Sequence, residues 1–192
     1  MNSKENQYFY SALNNINKKE YDKAIEDLLK VIELDEKNLD AYYNLAAVYC
    51  DIKDYDNAIK TYNKSIEIYP HDFDIYYSKA QIYLERNEIE KAIEDLEKAI
   101  SLNKAYSDAY YLLAVCYRRQ KKYKTALKYL KETLKYNSED YIACYDVYRI
   151  YNIFLKHEKD NEKKEKYEKL SQKYLKKSAD LGYDKALEIL KD

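Results

Sequence analysis

One glycine and one proline among 192 residues leave almost none of the positions that tight turns, hairpins and bulges require, which argues against an all-β fold. A single glycine also rules out a GxGxxG turn or a P-loop, and with them a backbone cradle for phosphate. Cysteine is scarce: Cys50, Cys116 and Cys144 are odd in number and never form a CxxC pair. That pattern speaks against a disulfide framework or a zinc site and for a reducing compartment, with the cytoplasm as the default address. No long apolar run is present. The opening MNSKENQYFYSALNN lacks the continuous stretch of a signal peptide, and a mean hydropathy of -0.84 leaves no membrane span. Neither sign of charge dominates, with 34 Lys+Arg against 35 Asp+Glu, so no broad basic face is expected and no nucleic acid partner. Histidine is limited to His71 and His157, both placed by the pattern in polar connecting stretches. No nucleophile–base pair or cluster of metal ligands emerges, so the expectation is a non-enzyme with no catalytic residue, no cofactor and no metal.

What the sequence does contain suits helices: Lys, Glu, Leu, Ala and Ile are abundant. It also contains 26 tyrosines against 3 phenylalanines and no tryptophan. Tyrosine packs like phenylalanine, but each buried hydroxyl needs a partner. Such a bias reflects either composition or a binding role.

A period organises the chain. Ala24, Ala58, Ala92 and Ala126 are each 34 residues apart, as are Tyr8, Tyr42, Tyr76 and Tyr110, and Tyr49, Tyr83, Tyr117 and Tyr151. Cut on this spacing, the units are 5–38, 39–72, 73–106, 107–140 and a longer one over 141–181. Within each, apolar residues recur at i, i+3, i+4 and i+7, as in Tyr42, Leu45, Ala46 and Tyr49 and again in Ala58, Ile59, Tyr62 and Ile66. Each unit therefore reads as two amphipathic helices joined by a short polar turn such as Ile52–Lys53–Asp54. The small residues Ala12, Ala46, Ala80 and Ala114 on the first (A) helix, and Ala24, Ala58, Ala92 and Ala126 on the second (B), let helices approach closely. Asp40, Asp74 and Asp108 fall in the first turn of their helices, where a carboxylate favours the positive dipole end. No unit can bury its apolar face alone, so neighbours must stack.

The second unit, LDAYYNLAAVYCDIKDYDNAIKTYNKSIEIYPHD, closely resembles the tetratricopeptide consensus through Tyr42, Leu45, Ala46, Tyr49, Ala58, Tyr62 and Pro70. The period is shorter than that of the RNA-reading pentatricopeptide repeats. The resemblance implies an all-α, right-handed superhelical solenoid of about five helix-turn-helix repeats, a single domain over 1–192. Departures concentrate at the ends. Ser11 and Asn15 replace the expected Leu and Tyr, as suits a solvent-facing end. In the fifth unit the pattern fails at Asp160 and resumes at Ser171, Leu175, Ser178 and Ala179, which reads as an expanded second helix over 158–181. Gly182 should end that helix, and a closing cap is expected over 183–191. The nine lysines from Lys156 to Lys177 alternate with acids and read as a solvated face or as a surface for an acidic partner.

The resemblance also places partner segments on the first helices. Carried over, the fifth residue of each repeat gives a ladder of Phe9, Tyr43, Tyr77, Tyr111 and Tyr145 along a concave groove, with the rings open to a guest. Polar groove positions drift from acidic (Asp40, Asp51, Asp74, Glu85) to basic (Arg118, Arg119, Arg149), with Asn44 and Asp108 between them in the candidate site. The expected partner is a peptide or helix of another protein with complementary charge. Assembly into homo-oligomers, or service as a regulatory subunit of an enzyme or nucleic-acid complex, are the alternatives; a monomer is favoured. The chaperone-tail clamp of this family is disfavoured. Asn44 fits one clamp position, but Phe9 and Leu13 stand where Lys and Asn are needed, and Asp74 and Ser78 where Lys and Arg are needed.

Overall fold

The computed structural model describes residues 3–191, and among them there is no strand and no helix long and apolar enough to cross a membrane. The periodicity becomes helix pairs: α1 (Ser3–Asn17) with α2 (Tyr21–Leu34), α3 (Leu39–Asp51) with α4 (Tyr55–Ile68), and α5 (Phe73–Glu85) with α6 (Ile89–Leu102). Then follow α7 (Ser107–Arg119) with α8 (Tyr123–Tyr136), α9 (Tyr141–His157) with α10 (Asn161–Asp180), and the short α11 (Asp184–Ile189). The chain forms two compact units, Met1–Leu102 and Asn103–Asp192, which part at the turn between the third and fourth repeats.

In the first unit, Ala12, Ala24 and Ala41 have no exposed surface and let α1, α2 and α3 close around Leu28, Val31, Leu45 and Val48. The next layer repeats this with Ala46 and Ala58 around Tyr62, Ile75 and Ile82. In the second unit, Ala114, Ala126 and Ala143 pack with Leu130, Val147, Ile150 and Tyr151, and Tyr167 and Tyr174 of α10 close over them. The end cap is built from Leu175, Ala179 and Ala186 under Tyr145, Tyr148 and Tyr183. Burying such a side chain is worth about 1.5–3 kcal/mol, so the stacking of neighbours stabilises what no pair could hold alone.

Turn chemistry repeats with the same period. Lys19, Lys53, Asn87 and Lys121 all adopt positive φ between 58° and 61°, and Gly182 does so at 88°. At Lys53 the chain folds back so that Lys53 N–H donates to the Cys50 carbonyl and Asp54 N–H to the Tyr49 carbonyl, satisfying two orphan acceptors of α3. Side-chain caps start several helices: Asn38, Asp54, Asp72, Asp140 and Asp160 each accept a backbone N–H of the first turn.

Two expectations require correction. Asn15 is not solvent-facing: it is buried, and its side chain donates to Asp27 of α2 at 3.0 Å, a polar pair standing in for the missing aromatic. The expansion of the fifth repeat is shared by both of its helices. α9 has 17 residues where α7 has 13, and α10 has 20 where α8 has 14. His157 accordingly ends α9 and does not lie in a loop.

Candidate partner-binding face

Each A helix carries a stripe at i, i+4, i+7 and i+11 beside its core-facing residues. On α3 this is Asp40, Asn44, Ala47 and Asp51; on α5 it is Asp74, Ser78, Gln81 and Glu85, all exposed or half-buried. In the second unit the stripe of α7 is Asp108, Leu112, Val115 and Arg119, and that of α9 is Ile142, Asp146, Arg149 and Ile153, of which Asp146 is buried. Asn44 donates to the Asp40 carbonyl at 2.8 Å, and Asp108 accepts from the Ser107 hydroxyl at 3.2 Å.

The aromatic ladder lies beside this stripe and not on it. Phe9, Tyr43, Tyr77, Tyr111 and Tyr145 are all half-buried, so the expectation of rings standing open to a guest is corrected. Phe9 packs against the core of the first repeat. Tyr43 meets Tyr62 edge-on at 6.0 Å between ring centroids, and its hydroxyl donates at 3.3 Å to Asp72, the capping carboxylate of the next A helix. Burial first, and then the charges of Asp72 and Asp74, push the Tyr43 hydroxyl well above its ordinary pKa. Tyr111, two repeats on from Tyr43 and in the second unit, likewise donates to a carboxylate of the next A helix, Asp146 of α9 at 3.2 Å, and burial together with Asp146 raises its pKa too. Tyr145 meets Tyr148 at a tilt and Tyr183 edge-on, at 5.5 and 5.0 Å between ring centroids, and covers the end cap. The physical reason is that a ring at the fifth position fills the crevice between consecutive A helices, so packing claims most of its surface.

The expected charge drift changes as well. Arg118 and Arg149 are not free cations: both reach the same oxygen of Asp146, at 3.4 and 3.3 Å. Asp146 is 5% exposed and carries all three bonds, two guanidinium and one phenolic. Sequence reasoning missed it, although an acid three residues before Arg149 was a usable i,i+3 signal. The carboxylates of the first unit differ, because Asp51 and Glu85 stand exposed at the last turns of α3 and α5, neither of which holds a base.

One buried ionic pair was also missed. Lys79 stands where Leu45 and Leu113 stand in their repeats, and its ammonium lies 3.2 Å from Asp95 of α6 and 3.3 Å from the Asn63 side chain of α4. Asp95 is 8% exposed, its second oxygen has no partner, and burial pushes its pKa up to about 6 against the opposing pull of Lys79. A charge in a leucine position was the signal. No group of three or more metal-ligating side chains occurs among the described residues.

Comparison with known proteins agrees with this geometry. Family profiles described as tetratricopeptide repeat match residues 38–105 and 77–142, and one described as TPR repeat matches 16–52. None of the curated proteins matches the sequence. Among solved structures, MamA 41-end from Desulfovibrio magneticus RS-1 is 15% identical, with 95% of this chain and 99% of that one covered at a TM-score of 0.75. Pseudomonas aeruginosa pilF is 18% identical over 94% of this chain and 78% of that one, at 0.75. YrrB, a TPR protein with an unusual peptide-binding site, is 20% identical over 96% and 91%, at 0.68. Likeness at these identities shows the fold alone.

Proposed function

Because the chain belongs to the tetratricopeptide repeat family, we propose that it is a non-catalytic adaptor that holds a peptide or helical segment of another protein against its A-helix face. The observation that carries this reading is the exposed stripe Asp40–Asn44–Ala47–Asp51 and its counterpart on α5. These are small and polar positions flanked by half-buried tyrosine rings, a surface with amphipathic contact area at low entropy cost. The peptide-binding site of YrrB supports the same use of the fold. A protein partner is favoured over nucleic acid, since the second unit's Arg118 and Arg149 are already neutralised in part by Asp146. The clamp for a chaperone tail is absent at the positions where the family keeps it, so that ligand stays disfavoured. The cytoplasm is the proposed location, on the three free thiols, and the adaptor is proposed to work as a monomer.

Affinity capture tests the reading. Asn44→Arg with Ala47→Arg puts bulk on the stripe of α3 without touching the core, whereas alanine at Tyr43, Tyr77 and Tyr111 would empty half-buried crevices and confuse binding with unfolding. The same prey should disappear from the variant. Prey retained at wild-type yield contradicts the proposal. Light scattering at rising concentration should report a monomer, and growth in mass with concentration would favour self-assembly instead.

A further inference from the structure

A cleft of about 280 Å³ opens where the last turns of α3 and α5 flank the first half of α4. Its base is apolar and aromatic: Tyr62 and Ile82 are buried beneath it, and Tyr55 and Cys50 form half-buried walls. Burial pushes the Tyr62 hydroxyl up to about 12, with a bond from Ser78 opposing it, so this phenol stays neutral and the floor of the cleft carries no charge. Two exposed carboxylates, Asp51 and Glu85, line it.

Those carboxylates stand in an unusual place. Each is the final residue of its helix, one repeat apart, at the negative pole of the macrodipole, where a cation is favoured and an acid is not. Neither helix offers a base in its last turn. The nearest cation in sequence to Glu85, Arg86, is engaged elsewhere, with Asp56 at 2.6 Å and Glu88 at 2.5 Å. Two helix C-termini and two carboxylates therefore converge on one aromatic-lined cleft with no ion pair of their own. The volume lies just below the roughly 300 Å³ at which pockets for drug-sized ligands begin, the scale of a single long side chain.

The geometry points to a subsite for an arginine side chain of the partner segment, its stem and guanidinium plane against the Tyr55 and Tyr62 side of the cleft and its charge between Asp51 and Glu85. Guanidinium is the cation that combines stacking on aromatic faces with bidentate bonding to carboxylates. This subsite rests on the adaptor reading above and narrows its ligand to a segment bearing a basic residue.

The test is a titration of the ¹⁵N-labelled full chain with N-acetyl-arginine amide at low salt, followed by amide chemical shifts. N-acetyl-citrulline amide, of nearly the same shape but uncharged, serves as the comparison probe. Shifts are expected at Cys50, Asp51, Ser78, Gln81 and Glu85, with saturation about fivefold weaker for the citrulline probe and for the Asp51→Asn/Glu85→Gln variant. Both substitutions are at exposed positions, and an unchanged circular dichroism spectrum confirms the fold. Equal response to the two probes, no response at the cleft, or full binding by the double variant each overturns the subsite. Capture with Asn44→Arg alone, two helical turns from Asp51 and outside the cleft lining, judges the adaptor reading separately.

Discussion

Lys53 and Lys121 hold φ at 61° and 59°, a left-handed conformation that costs a residue with a β-carbon about 1 kcal/mol. Glycine reaches it freely, so Lys53→Gly and Lys121→Gly should each raise stability by up to about 0.5 kcal/mol in urea unfolding, after the looser unfolded chain takes back the rest of the gain. No change, or a loss, would mean that the lysine side chains contribute more than their backbone strain costs. At Tyr43 and Tyr111 the opposite sign is expected. Phenylalanine keeps the ring but deletes the bonds to Asp72 and Asp146, and each change should lose about 0.5–1.5 kcal/mol without altering helix content. The turn position was legible where Gly182 stands, because glycine advertises positive φ. It was illegible at Lys19, Lys53 and Lys121, because lysine does not. The tyrosine ladder was legible as a register but not as a packing state: spacing tells which face a ring shares, and only the neighbouring helix decides how much of it remains open.

At the scale of elements, α5 and α6 carry the least conventional feature, the Lys79–Asp95 pair at a position where the second repeat has Leu45 and Thr61. Buried ion pairs seldom outstabilise well-packed apolar groups. The double variant Lys79→Leu/Asp95→Thr should therefore be neutral or more stable by about 1–4 kcal/mol, while Lys79→Leu alone, which strands a buried carboxylate, should lose about 3–5 kcal/mol near neutral pH. Asp95 has a folded pKa of about 6, raised above its ordinary 3.8, so the folded state holds more protons than the unfolded one between those values. Its contribution to stability is then present at low pH and is lost as pH rises through about 6. The advantage of the double variant should accordingly widen between about pH 4 and pH 7 in paired thermal melts; a constant difference would contradict this. The helices themselves were readable from i, i+3, i+4 spacing, because that pattern needs no partner to be seen. The sharing of the fifth repeat's expansion between α9 and α10 was not, since Phe154, Tyr167 and Tyr174 close the longer pair only once both helices are in place.

At the scale of the molecule, repeats that bury alanines and leucines between helix pairs leave one face of the A helices without a covalent or ionic use in the first unit, and that face is where a partner segment is proposed to lie. Fold and family could be read from the period together with the consensus residues of the second unit; the identity of the groups on the face could be named, but their pairing could not, because Asp146 gathers Arg118 and Arg149 only after α7 and α9 pack. Site-specific photocrosslinking in the native host extract reports whether a protein segment lies on that face. The benzophenone amino acid p-benzoylphenylalanine would be placed at Ala47 on the α3 stripe, at Ile142 on the α9 stripe, and at Glu97 on α6 as the control, all three exposed positions. A discrete protein adduct is expected at Ala47 or Ile142 and none at Glu97. An adduct formed at Glu97 with both stripe positions silent would contradict it.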